Sequence, residues 1–209
     1  MPKRPGPEPA AGRAEGPADF ARMCVEAAVA HRSLPAAPAT MLFTQRAACF
    51  VSLKARGQLR GCIGTLESAE PDLGREIARN ARSAAFQDPR FPPVGVHELR
   101  DLTYSVDVLS ASRAVRVEEL DPRRYGVIVS CGWRRGVLLP DLPGVDTADG
   151  QVCIALQKAG ISQEEAYALH CFTVTRYREG DAIGMPSDSI ACCPDEVGSD
   201  PDGGPAEST

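Results

Sequence analysis

Arg60 and Cys62 lie two residues apart in the stretch QLRGCIGT (58 to 65), and they form the pair with the most chemical potential in this sequence. The thiolate form of cysteine is a nucleophile and a soft metal ligand, and a fixed positive charge nearby favours it over the thiol. If the stretch is a strand, its side chains alternate between faces. Arg60, Cys62 and Gly64 then share one face, and Leu59, Gly61 and Ile63 the other. Glycine weakens a strand interior, so Gly61 and Gly64 mark a bulge or a place where something else comes close to the backbone. Two readings follow. Cys62 is an activated nucleophile beside a bare patch that admits a substrate, or it is a buried thiol packing as a small hydrophobe.

A second candidate group is Asp88, Arg90 and Phe91. The two charges flank Pro89 in a rigid turn just after a helical pattern, a placement that can present both to one cleft. The alternative is a structural turn in which Asp88 caps backbone amides, Arg90 pairs locally and Phe91 anchors the core. His97 precedes Glu98 and Leu99 in an expected short helix and is a base for Cys62 only if folding brings the two together. Lys158 sits in the last turn of a helix, where a cation complements the macrodipole.

The chain has 209 residues, 43% of them hydrophobic and 24% charged, enough for one domain with a substantial core. Eight cysteines at no repeating spacing, with no Cys-x-x-Cys, read as free thiols. His31, His97 and His170 are far apart in sequence, so no metal site is expected. Nor is a cofactor, since there is no Gly-x-Gly-x-x-Gly or Walker-type loop. Eight acidic residues and no lysine or arginine follow residue 178, so residues 1 to 178 carry 23 minus 20, or +3, against −8 in the tail. A near-neutral body with few aromatics argues against nucleic acid as a partner. No run of about 18 apolar residues suits a membrane span, and residues 1 to 20 lack the apolar stretch of a signal peptide, so a cytoplasmic protein is expected.

Residues 1 to 17 and 179 to 209 are rich in Pro, Gly, Ala, Ser and acids, and read as disordered tails around a folded unit at 18 to 178. Cys192 and Cys193 fall in the second tail. Within the unit, Asp19 is positioned to cap a first helix with apolar residues at helical spacing. Residues 47 to 54 and 58 to 65 flank Ala55-Arg56-Gly57 as an antiparallel hairpin. Leu73, Ile77, Ala81 and Ala84 mark a second helix, and YSVDVLS (104 to 110) alternates as a half-buried strand. Short strands are expected at 115 to 118, 125 to 130 and 136 to 139. A third helix ends at Gly160, and Ser162 with Glu165 suggests a capping box for a short fourth. CFTVTRY (171 to 177) closes the unit as a strand. Strands in hairpins interrupted by helices predict an α+β fold on a largely antiparallel sheet.

Three blocks, FVSLKARGQLRGCIGTL (50 to 66), NARSAAFQDPRFPPVGVHEL (80 to 99) with YSVDVLS, and GVLLPDLP (136 to 143) with ALQKAGI (155 to 161), resemble the AMMECR-type domain family. Stand-alone prokaryotic members of that family are called AmmeMemoRadiSam system protein A. The resemblance implies two unequal lobes with a cleft, and partnership with a Memo-like protein and a radical SAM protein, with no reaction assigned. The family motifs fall on Leu59, Arg60, Gly61, Cys62, Ile63 and Gly64, and on Asp88, Arg90, Phe91 and Pro92. Two functions compete. One is a binding or adaptor module holding a small molecule, peptide or partner in the cleft. The other is a thiol-dependent enzyme using Cys62 activated by Arg60.

Overall fold

The computed structural model describes residues 16–181 and 188–189. The expected tails, apart from their edges at 16–17 and 179–181 and the pair 188–189, lie outside the described residues, as do Cys192 and Cys193.

Helix α1 (Pro17–Val29) has Gly16 as its N-cap and a proline in its first turn, where a missing N–H costs no hydrogen bond. Asp19, the cap expected from sequence, is instead inside that turn, and its Oδ1 accepts the Gly180 N–H at 3.2 Å. A single turn, α2 (Met41–Thr44), precedes the hairpin β1 (Cys49–Ala55) and β2 (Gln58–Gly64). Helix α3 (Leu73–Phe86) is capped by Asp72, whose side chain accepts the Arg75 N–H. A 3₁₀ segment at Val96–Asp101 leads into β3 (Leu102–Leu109), and β4 (Arg113–Ala114) follows. The hairpin β5 (Gly126–Cys131) and β6 (Arg134–Leu138) comes next, then α4 (Ala148–Ala159), capped by the Thr147 side chain and stopped by Gly160 at φ 65°. Strands β7 (Ala168–Phe172), β8 (Val174–Arg178) and β9 (Asp188–Ser189) complete the order.

The strands form two antiparallel sheets, ordered β2-β1-β3-β8-β9 and β4-β7-β5-β6. Helices α1 and α3 cover one face of the first sheet, burying Phe20, Ile77, Val51, Leu53 and Val106 between them. Helix α4 covers the smaller sheet over Val127, Val129, Val152 and Leu156. Ala48, Leu109, Ile128, Phe172 and Val174 join the lobes, and a groove of about 320 Å³ over Leu109, Ile128 and Phe172 runs between them. The expected α+β class holds. No helix among the described residues is long and apolar enough to cross a membrane.

Three local expectations fail for tertiary reasons. Residues 162–166 stay a turn: Glu165 accepts the Ser162 N–H at 2.8 Å, as a capping box would, but its carboxylate also holds the Arg134 guanidinium. Residues 115 to 118 are no strand, because contact with β7 ends with one backbone bond from the Val115 N–H to the Leu169 carbonyl and a 3₁₀ turn occupies Val117–Glu119. The fold also runs past residue 178. Glu179 pairs with Arg22 of α1 and accepts the Tyr104 N–H at 2.9 Å. Composition marks Glu179 as tail, but its two partners lie more than 70 positions away in sequence.

Candidate functional site

Strand β2 carries the bulge that its glycines suggest, and the bulge re-aims Arg60. Lys54 pairs with Leu59 and Leu53 with Gly61, so Arg60 is the extra residue, opposite no partner on β1. Strict alternation is broken there. Leu59 lies with Lys54 on the face away from the helices, while Gly61 and Ile63 lie with Leu53 and Val51 on the core face. Arg60 reaches the 3₁₀ segment instead, where its Nε and Nη2 donate to the two Glu98 carboxylate oxygens at 2.8 and 3.1 Å. That pair holds the Glu98 carboxyl below its ordinary range. The cation expected to activate Cys62 is therefore neutralised by Glu98.

The bare patch at Gly61 is occupied from within the protein. An added Cβ would lie 2.2 Å from the carbonyl oxygen of Ala84, so α3 rests directly on β2 at this point. Gly64 is closed in the same way by the Phe50 ring, 2.2 Å from its hypothetical Cβ. Both glycines admit a close neighbour, as expected, and the neighbour is the fold itself. The second lobe repeats the device: a Cβ on Gly136 of β6 would lie 2.0 Å from the Ala155 carbonyl oxygen of α4.

Asp88 and Arg90 lock onto the outer edge of β2. The Cys62 N–H donates to Asp88 Oδ2 at 2.9 Å, and Arg90 Nη2 donates to the Cys62 carbonyl at 3.2 Å. Arg90 also donates to both Asp88 oxygens through Nε and Nη2, at 2.9 and 2.7 Å, and through its own amide at 3.1 Å. Together the two side chains imitate the peptide group of a neighbouring strand, satisfying an edge that would otherwise be open to pairing. The Arg90 hydrogen bonds, assisted by the two amides, hold the nearly buried Asp88 carboxyl far below the usual carboxylate range despite its burial. Phe91 stands between the guanidinium groups of Arg60 and Arg90, with their central carbons 5.9 and 5.5 Å from its ring centre. One network thus runs from Glu98 through Arg60, Phe91, Arg90 and Asp88 to Cys62. His97 packs over Gly95 beside the 3₁₀ segment, and reaches the network only through its electrostatic effect on Glu98.

The Cys62 side chain is half-buried on the open face of the first sheet, where Ser52 Oγ donates to its Sγ at 3.1 Å. Cross-strand register continues the row: Cys62 opposes Ser52, Ser52 opposes Ser105, and Ser105 opposes Arg178. Above this face lies a groove of about 460 Å³ lined by Ser52, Lys54, Thr103, Ser105, Arg176 and Arg178. Sequence reading missed these groove residues, although alternation in FVSLK and YSVDVLS already places Ser52 with Lys54, and Ser105 with Asp107, on the polar faces of their strands. Among the described residues no cluster of His, Cys, Asp and Glu is arranged to hold a metal.

Burial divides the thiols. It pushes Cys24 and Cys49 up to about 12, which leaves them protonated at neutral pH, whereas Cys62, Cys131 and Cys153 are partly exposed. Iodoacetamide at about pH 7.5 is expected to label these three in the native protein and to spare Cys24 and Cys49, as read by peptide mass spectrometry. Labelling of Cys24 as fast as Cys62 would show that the core under α1 opens.

The chain is 54% identical over 140 residues to a protein of Thermotoga maritima, a match covering 66% of this chain and 80% of that protein. It is 51% identical over 130 residues to a protein of Clostridium acetobutylicum, covering 62% of this chain but only 28% of that longer relative. The fold is similar to the crystal structure of an uncharacterized protein of Pyrococcus horikoshii, with a TM-score of 0.70 and 25% identity over 82% of this chain and 93% of that one. The AMMECR1 family model matches residues 18–180, from the first turn of α1 to the residues that Glu179 ties down. On that match, which contains both the bulged strand and the side chains that lock its edge, the chain belongs to the AMMECR1 family.

Proposed function

We propose that this domain is a binding or adaptor module whose working surface is the open face of the first sheet, and that it acts with Memo-like and radical SAM partner proteins in the cytoplasm. The groove over Ser52, Lys54, Ser105 and Arg178 carries this reading. It is concave and carries hydroxyl and charged side chains, and its Ser52 reaches Cys62, the centre of the strand that the rest of the network holds in place. Recognition by strand addition at β2 is disfavoured, because Asp88 and Arg90 already take the Cys62 backbone groups. Recognition falls instead to side chains on the face.

The test uses the recombinant Memo-like and radical SAM proteins encoded by the same source. Lys54→Glu combined with Ser105→Tyr, which reverses a charge and fills the groove, is expected to abolish co-purification while shifting the melting temperature by no more than about 3 °C. Undiminished capture by that variant would sink the reading. A second reading, a thiol-dependent enzyme, is favoured by the Ser52 hydroxyl, which donates to the Cys62 sulfur and would stabilise a thiolate. Cys62→Ser separates the two: it leaves capture intact for a binding module and abolishes turnover for an enzyme.

A further inference from the structure

We propose that the acidic segment 190–209 of this chain docks along an arginine-lined groove between α1 and α3, on the helix side of the first sheet and independently of the open-face reading. The groove, of about 980 Å³, is walled by Arg32 just beyond α1 and by Arg75, Arg79 and Arg82 of α3, over a floor of Ala28, Ala78 and Phe86. Arg75, Arg79 and Arg82 follow one another at four and three residues, so they share one face of α3 and repel each other. A closed helix end sets Arg32 on the α1 side. The His31 N–H returns to the Ala28 carbonyl at 3.1 Å and the Arg32 N–H to the Ala27 carbonyl at 2.8 Å, with His31 at φ 53°.

Two of the four guanidinium groups are answered within the fold. Arg75 lies 3.4 Å from Asp72, and Arg79 stands 3.9 Å from both Glu70 and the buried Glu76. Glu76 offers the groove nothing more, because Thr65, Ser68, Asn80 and the Glu70 amide all donate to its oxygens. Arg32 and Arg82 are exposed and form no ion pair or hydrogen bond among the described residues. Residues 190–209 carry the complement: Asp195, Glu196, Asp200, Asp202 and Glu207, with no lysine or arginine. From Arg75 to Gln87 the groove follows α3 for about 18 Å, which an extended chain covers in about five or six residues. Asp195-Glu196 and Asp200 have that separation, with Val197 between them to meet Ala78 and Phe86. Strand β9 ends at Ser189 beside β8, which α1 also contacts. The stretch from there to Asp200 reaches up to about 36 Å, against a radius of gyration of about 15 Å for a domain of this size. Tethering brings the acidic run to a roughly millimolar local concentration, so a few exposed ion pairs suffice to seat it.

Carbodiimide crosslinking of the full chain carrying Arg32→Lys and Arg82→Lys tests this directly. Both substitutions keep the charge and supply an amine, and an unchanged melting temperature confirms that the fold is intact. The carbodiimide activates a carboxyl group, and a lysine amine within contact distance displaces the urea to leave an amide. Lys54, on the open face, and Lys158, on α4, are exposed internal references. Peptide mass spectrometry at low ionic strength is expected to find amides from Asp195, Glu196, Asp200 and Asp202 to positions 32 and 82 about fivefold more often than to the two reference lysines. In about 0.5 M sodium chloride the excess is expected to vanish. Equal yields at all four lysines would overturn the proposal, as would amides from positions 32 and 82 to Glu70 and Asp72 alone. A mixture of light and ¹⁵N-labelled chains separates the remaining occupant: amides that join light to heavy chains would overturn docking within one chain and assign the groove to the tail of a second copy.

Discussion

Gly61→Ala is expected to lower the thermal midpoint by roughly 10 °C, even though alanine is ordinarily better tolerated than glycine in regular structure. The new Cβ would sit 2.2 Å from the Ala84 carbonyl oxygen and 3.2 Å from its carbon. Both belong to the backbone of α3, so no side-chain rotation relieves the clash and the helix must lift from the sheet. Lifting it disturbs the layer of Ile77, Ala81 and Leu53, at a cost of about 3 kcal/mol. For a domain of this size each kcal/mol is worth roughly 2–4 °C. Gly136→Ala is expected to behave alike through the Ala155 carbonyl. Gly132→Ala is the control, with open space around it and only its φ of 58° to strain, and is expected to cost about 1 kcal/mol. A Gly61→Ala melt within a degree of the parent protein would show that α3 does not rest on β2 as described.

Asp88→Ala is the second large effect. It removes the acceptor of the Cys62 and Arg90 amides and leaves the Arg90 guanidinium without its carboxylate. The buried Cys62 amide and the broken pair together are worth about 3 kcal/mol, with Arg90 contributing less because its side chain is 53% exposed. The freed edge of β2 is also expected to promote association, visible as light scattering above the melting onset. The pH dependence follows from the direction of the shift. A carboxyl depressed in the folded state stabilises fully above its unfolded value of about 4, and the contribution is lost as pH falls toward the folded value. The stability gap between the parent protein and Asp88→Ala should be full at neutral pH and narrower by about 1 kcal/mol near pH 3. A gap that stays constant down to that pH would rule out an ionised, strongly held Asp88.

The local layer of this fold is legible in one dimension. Alternation in YSVDVLS marks β3, the spacing of Leu73, Ile77 and Ala81 marks α3, and Gly160 ends α4, because periods of 2 and 3.6 and left-handed caps are properties of neighbouring residues. The motif around Cys62 is equally visible, and its family with it. What the motif does is decided by residues far from it in sequence. Arg60 leaves its expected face because a bulge inserts it opposite nothing, and Glu98, 38 positions on, captures it. Gly61 is small because a carbonyl 23 residues away in sequence lies against it. The row of Cys62, Ser52, Ser105 and Arg178 exists only because three antiparallel pairings bring four strands into one register. Pattern along the chain specifies which way a side chain points relative to its neighbours. Only cross-strand pairing and helix docking specify what it meets, since those contacts join segments whose spacing in sequence carries no periodic signal.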